Sequence, residues 1–213
     1  MYDRQHIENN CLKVSGEGTI SISPNQVNIT IGAITEKKSL QEAQRENAII
    51  ISKIITAMAQ LGIQRKNIQT VIYRIDTLYD YKDGVQLFRG YSVNHQLQVK
   101  IDDIEKTGLV VDHAVNQGAN TVSNIEFTVA QPEAYYNEAL KLALQNAYIK
   151  ALTLTSQLAV NLNPIPFKLE ELLKRISSPV PYSQTMMATA EATPIQPGEI
   201  TISATITVDY LYD

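Results

Sequence analysis

Tryptophan is missing from this chain, and cysteine and phenylalanine nearly so: its 213 residues include no Trp, one Cys and three Phe. The single cysteine, Cys11, excludes an intramolecular disulfide. A chain of this length can bury roughly 70% of the surface its unfolded form exposes, so it needs no disulfide or metal staple. Histidine is scarce as well. His6, His95 and His113 are the only three, no two of them have metal-ligand spacing, and none lies beside a cysteine. Positive charge is short: 18 Lys and Arg face 22 Asp and Glu, a net charge of −4, with a pI near 5.4. Nucleic-acid binding needs clustered cations, and Lys37-Lys38 and Arg65-Lys66 are the densest here, both at element ends. No nucleic-acid partner is expected. No apolar run approaches the roughly 20 residues that span a bilayer, so no transmembrane segment is expected. The residues before Cys11, His6-Ile7-Glu8-Asn9-Asn10, lack the apolar stretch of an export signal. A cytoplasmic location is therefore expected of the sequence as written, with the periplasm or cell envelope as the alternative if an export signal has been removed.

What is present is strong patterning. Leu12, Val14, Ile20 and Ile22 alternate with polar residues, Pro24-Asn25 supplies a turn, and Val27, Ile29, Ile31 and Ala33 alternate again, which predicts two strands joined as a hairpin. Ser39-Leu40-Gln41-Glu42 is a capping box. Behind it Leu40, Ala43, Ile50, Ile54, Ala57 or Met58, and Leu61 recur at helical spacing up to Gly62, a left-handed stop. Ile68 to Tyr81 reads as a long strand, Asp83-Gly84 as a hairpin turn, and Leu87 to Ile101 as a returning strand. Tyr91, Val93, Leu97, Val99 and Ile101 share one side of it, and Ser92, Asn94, Gln96, Gln98 and Lys100 the other.

Asp102-Asp103-Ile104-Glu105 starts a short second helix with Ile104, Val111, Ala114 and Val115 inward and Gly118 as its stop. Thr121 to Val129 is another strand. Pro132 opens a third helix running to about Val160, with Ala139, Ala143, Ala147 and Ala151 as a narrow stripe. Residues 165–176 fit a strand or a helix. Residues 177–198, with Pro179, Pro181, Pro194 and Pro197, read as a loop or arm, and Ile200 to Tyr210 as a cleanly alternating strand. The order ββαββαβα followed by strand, loop and strand predicts an α+β fold. Its sheets are antiparallel or mixed, with helices packed on them, and two small sub-domains are possible. Residues 1–11 form a tail and 12–213 the folded domain.

A search for chemistry finds no constellation. His95 lies on the apolar face of its strand, where a hydrogen-bonded core imidazole is expected. His113 is expected to face solvent. Asp76, Asp80 and Asp83 with Gly84 lack the alternate ligand positions and distal Glu of a calcium loop. Val14-Ser15-Gly16-Glu17-Gly18 contains Gly-x-Gly inside a strand, where phosphate-cradling amides of a helix start are missing. Close approach of another backbone, or a bulge, explains these glycines better. There is no Gly-x-Ser-x-Gly, Cys11 has no helix start or cation to activate it, and Glu170-Glu171 reads as a solvated face. No catalytic, cofactor-binding or metal residue is assigned and no cofactor is expected. Three features suggest contact surface instead: Tyr73, Tyr79, Tyr81 and Tyr91 around one hairpin with Tyr135, Tyr136 and Tyr148 on the third helix, the Met186-Met187 pair in the Pro-containing arm, and the polar face of the Leu87–Ile101 strand.

The order of motifs resembles the SIMPL-domain family, a group of unknown function. The resemblance rests on Val14-Ser15-Gly16-Glu17-Gly18 before Pro24, on Leu61-Gly62-Ile63 with Asn67-Ile68-Gln69-Thr70, and on Gly90-Tyr91-Ser92-Val93-Asn94. Gly118-Ala119-Asn120 before Ile125-Glu126-Phe127, the Ala-rich helix, and Pro197-Gly198-Glu199-Ile200 add to it. Asn67 stands where an Asp is usual and Asn161 where a Gly is common. The resemblance implies a non-enzymatic protein linked to oxidative-stress or envelope stress defence and to bacterial surface immunogens, with some members forming ring-like or channel-like oligomers. It supplies no site residues. The expectation is thus a homo-oligomerising structural or binding protein. A monomeric or dimeric ligand-binding or signalling module is the alternative, and an unrecognised enzyme a third.

Overall fold

The computed structural model of the chain describes residues 10–176, 193 and 195–213. Its strands are β1 (Cys11–Ile22), β2 (Gln26–Lys37), β3 (Ile68–Lys82), β4 (Val85–Ile101), β5 (Thr121–Thr128), β6 (Lys168–Ile176) and β7 (Ile200–Leu211); its helices are α1 (Leu40–Gln60), α2 (Thr107–Asn116) and α3 (Pro132–Leu158). The strands form two antiparallel sheets, ordered β1-β7-β6 and β3-β4-β2-β5, and the fold is α+β. The chain divides into two units. One holds β1, α3, β6 and β7, the other β2, α1, β3, β4, α2 and β5. Of the expected tail 1–11, residues 1–9 lie outside the described residues. So do 177–192 and 194 of the expected arm, including Met186 and Met187.

The expected β1–β2 hairpin does not form. β1 pairs with β7 from Cys11↔Leu211 to Ile22↔Ile200, while β2 lies in the other sheet between β4 and β5. A tight hairpin turn needs positive φ at its central residues, and the pyrrolidine ring of Pro24 holds φ near −65°. Pro24-Asn25 is a joint instead, with Asn25 N–H donating to Thr128 O at 3.1 Å. The ambiguous stretch resolves as a strand: β6 pairs with β7, with a register shift between Glu171 and Leu173.

In the first unit the side chains of Ile200, Ile202, Ala204, Ile206, Val208 and Tyr210 are buried with Val14 and Tyr136 against the alanine stripe of α3, whose Ala139, Ala143, Ala147 and Ala151 are fully covered. The Gly-x-Gly of β1 explains how the helix comes so near. A Cβ on Gly16 would sit 2.0 Å from Ala143 O, and one on Gly18 would sit 2.0 Å from Ala139 O. Small residues on both sides let two backbones touch. Asn146 Oδ1 accepts from Glu17 N–H at 3.2 Å and Lys150 Nζ donates to Ser15 O at 2.9 Å, which fixes the helix on the strand.

In the second unit α1 and α2 cover one face of the four-stranded sheet. Ser39 caps α1, its hydroxyl accepting from Glu42 N–H at 3.5 Å, and Gly62 ends it at φ +83°. The core joins Val27, Ile29, Ile31 and Ala33 of β2 and Leu97, Val99 and Ile101 of β4 to Ile51, Ile54, Ala57 and Met58 of α1 and Val110 and Ala114 of α2. Each fully buried Ile or Leu is worth about 1.5–3 kcal/mol. Val115, expected to face inward, is 51% exposed, and a polar residue, Asn47, takes a buried place on α1.

Candidate functional site

The feature that stands apart is the β3–β4 hairpin. β2 stops pairing with β4 at Lys37↔Tyr91, so among the described residues β4 pairs only with β3 from Gly90 outward. The turn at Asp83-Gly84 has φ of +49° and +79°, as an Asp-Gly hairpin turn requires. The helices cannot follow the arm. β4 has 17 residues, roughly 56 Å at strand rise, whereas the 21 residues of α1 span about 32 Å. The apolar face therefore runs past its cover.

On that face Tyr73 pairs with His95, Ile75 with Val93, Thr77 with Tyr91 and Tyr79 with Phe88. Tyr79, Phe88 and Tyr91 form edge-to-face contacts with ring centroids 6.2 and 5.3 Å apart. Tyr73 is 53% exposed, Phe88 53% and Tyr81 75%, so these rings are left open to solvent. Ile72, Leu87 and Val85, on the other face with Asp80 and Lys82, are exposed too, as is Val71 at the register shift. That other face also carries Arg74 and Asp76, bonded Nε to Oδ2 at 2.7 Å. At the base of the arm Arg89 pairs with Glu36 at 3.0 Å and with Asp80 at 3.8 Å, and Lys37 pairs with Glu46 at 2.8 Å. These ion pairs surround an open depression of about 300 Å³ lined by Glu36, Lys37, Lys38, Leu78, Arg89 and Gly90.

The histidines do not converge on a site. His95 lies on the helix-covered side as expected, partly buried, with its Nε2 3.1 Å from Thr70 Oγ1 and its ring edge-on to Tyr73 at 5.1 Å. Burial holds its pKa below the ordinary histidine value. His113, expected to face solvent, is partly buried, and its neighbour Asp112 is engaged by Thr193. Oδ2 accepts from the Thr193 amide at 3.1 Å and Oδ1 from the hydroxyl at 2.6 Å, bonds that hold the carboxyl below its usual range. Cys11 is exposed, with its thiol raised mainly by desolvation. Among the described residues no three His, Cys, Asp or Glu side chains are grouped to hold a metal, and no helix is long and apolar enough to cross a membrane.

Glu170 and Glu171 do not act as a pair. Consecutive strand residues point to opposite faces: Glu170 bonds Lys168, while Glu171 accepts from the hydroxyl of buried Tyr136. Burial first, and then the Glu171 carboxylate, push the Tyr136 phenol up to about 12. Sequence reasoning missed this contact, since nothing in the pattern links residue 136 to 171. It also missed Asn47, whose Nδ2 donates to Ala33 O at 2.9 Å and Val93 O at 3.1 Å.

These observations define a two-unit α+β protein with one uncovered aromatic hairpin. The chain belongs to the SIMPL family, described as proteins of unknown function (DUF541), whose model matches residues 12–210. It is 29% identical over 208 residues to the 26 kDa periplasmic immunogenic protein of Brucella melitensis, an alignment covering 92% of this chain and 82% of that protein. It is also 25% identical over 195 residues to the uncharacterised protein YggE of Escherichia coli, covering 92% and 78% respectively.

Proposed function

We propose that this is a non-enzymatic, homo-oligomerising structural or binding protein of the bacterial cell envelope, with the β3–β4 hairpin as its working part. The observation that carries this is the open row Tyr73, Ile75, Tyr79, Tyr81 and Phe88 on a strand pair longer than any helix beside it. Contiguous exposed apolar surface of this kind is what association sites offer, and tyrosine suits them because its ring is apolar and its hydroxyl can stay wet. The name of the Brucella relative supports the periplasm, the alternative to the cytoplasmic expectation. A part in oxidative-stress or envelope stress defence is the finer element of the proposal and rests on family resemblance.

Light scattering on purified protein at tens of micromolar tests the assembly. A defined oligomer is expected, and a strict monomer at that concentration would overturn it.

A further inference from the structure

We propose that two copies of this chain join edge to edge through β3, antiparallel, about a two-fold axis at Ile75, so that Arg74 of each copy lies opposite Asp76 of the other. This pairing presupposes the self-association proposed above and specifies its surface and register.

Among the described residues the two sheets have four edges: β1, β6, β3 and β5. β5 has 8 residues, its ladder slips between Asn28 and Thr30, and Asn124 within it has φ +49°. β6 has 9 residues and carries Lys168, Glu170, Glu171 and Arg175. β1 turns its apolar side chains toward α3 and presents Lys13, Ser15, Glu17 and Thr19 outward. Short length, bulges and charge are the usual guards against edge pairing. β3 has 15 residues and no proline or glycine; of the two register shifts in its ladder with β4, the one between Thr70 and Ile72 skips Val71 of β3 and the one between Leu78 and Tyr79 skips Arg89 of β4. From Ile72 to Lys82 it alternates without interruption, with Tyr73, Ile75, Thr77, Tyr79 and Tyr81 on one face and Ile72, Arg74, Asp76, Leu78, Asp80 and Lys82 on the other. Its outer edge is a row of backbone donors and acceptors that a second strand would satisfy.

The charges choose the register. In a two-fold antiparallel pair, if residue i faces j then j faces i. A dyad at Arg74 or Asp76 sets like charges against each other, and one at Leu78 sets Asp76 against Asp80; like charges directly opposite are destabilising. A dyad at Ile75, the midpoint of β3, makes the Arg74–Asp76 contact twice. It also sets Ile72 against Leu78, Tyr73 against Thr77 and Ile75 against itself, and opposes no like charges. A dyad at Thr77 sets Arg74 against Asp80 but leaves Ile68–Val71 unpaired. Within one chain Arg74 and Asp76 already lie side by side, so pairing closes a four-charge ring on one face while the tyrosines of both copies continue one another on the other. The result is a sheet running β5-β2-β4-β3 into β3-β4-β2-β5.

The test uses the whole chain. Asp76→Arg is expected to weaken the dimer about tenfold by placing like charges opposite each other twice. Arg74→Asp combined with Asp76→Arg, which rebuilds both pairs in reverse, is expected to restore it, with circular dichroism showing that each variant folds. In a Cys11→Ser background, Ile75→Cys is expected to cross-link with a short bis-maleimide, because residues directly opposite hold their Cβ atoms about 5 Å apart, while Ser156→Cys on α3 stays uncross-linked. If the parent chain assembles but Asp76→Arg has no effect and Ile75→Cys does not cross-link, this register is wrong and the assembly proposal stands. If the parent chain is a strict monomer, both fall.

Discussion

The face of β4 that carries Val93, Leu97, Val99 and Ile101 continues onto β3 and the outer end of β4 as Tyr73, Ile75, Tyr79 and Phe88. The first group is buried beneath α1 and α2, and the second lies open. Apart from the register shift between Leu78 and Tyr79, which brings Phe88 onto the face of Tyr91, the two groups alternate with the same period in one ladder, so the pattern does not tell them apart. Cover does. A strand gains about 3.3 Å per residue and a helix 1.5 Å, so a helix of comparable residue count shields only part of a long hairpin. Alternation therefore specifies which side of a strand is apolar. Whether that side is core or contact surface depends on the length of the neighbouring helix.

The comparison predicts that equal truncations cost unequal amounts on the two halves. Ile54→Ala, at a fully buried position of α1, should lower the unfolding free energy by about 2–5 kcal/mol, read from denaturant melts. Asn47→Ala should cost about 1 kcal/mol, because it removes the Nδ2 donor that bridges Ala33 O and Val93 O beneath the helix, while loss of the buried, partnerless Oδ1 offsets part of that. A loss below 0.5 kcal/mol at either site would mean that the cover is not where the energy lies.

Much of this architecture was legible because local signals agreed with one another. The capping box at Ser39, the Asp83-Gly84 turn, the alternation of Ile200 to Tyr210 and the alanine stripe of α3 each name an element and a face. The glycines at 16 and 18 implied either a close backbone approach or a bulge, and the structure shows the approach, with Ala143 O and Ala139 O where their Cβ atoms would be. What stayed hidden was address. β1 was expected to pair with its neighbour β2, yet its partner is β7 at the far end of the chain, because one alternating strand looks much like another. Asn47 was hidden for a related reason: a polar residue in a helical stripe reads as surface until the two carbonyls above it are known. The tyrosine cluster was visible in the sequence as candidate surface, but the uncovered arm that exposes it required the length of α1 measured against that of β4.

Smaller effects sharpen the same contrast. Tyr81→Thr keeps a strand-favouring residue at the most open ring of the arm. It should shift the stability of the dilute chain by less than about 0.5 kcal/mol, while the oligomeric fraction at tens of micromolar falls. A matching loss of fold stability would show that the arm is core after all. His95 reports on the boundary itself, lying between buried Val93 and Leu97 and beside exposed Tyr73. Its folded pKa lies below the unfolded value because burial disfavours the charged ring. Its contribution to stability is therefore present above the unfolded pKa and is lost as pH falls through the folded one. NMR titration of the ring should give a midpoint below 6.5, the ordinary histidine value. In His95→Gln the acid limb of the stability profile below that pH should become shallower, and a midpoint at or above 6.5 would place His95 outside the cover.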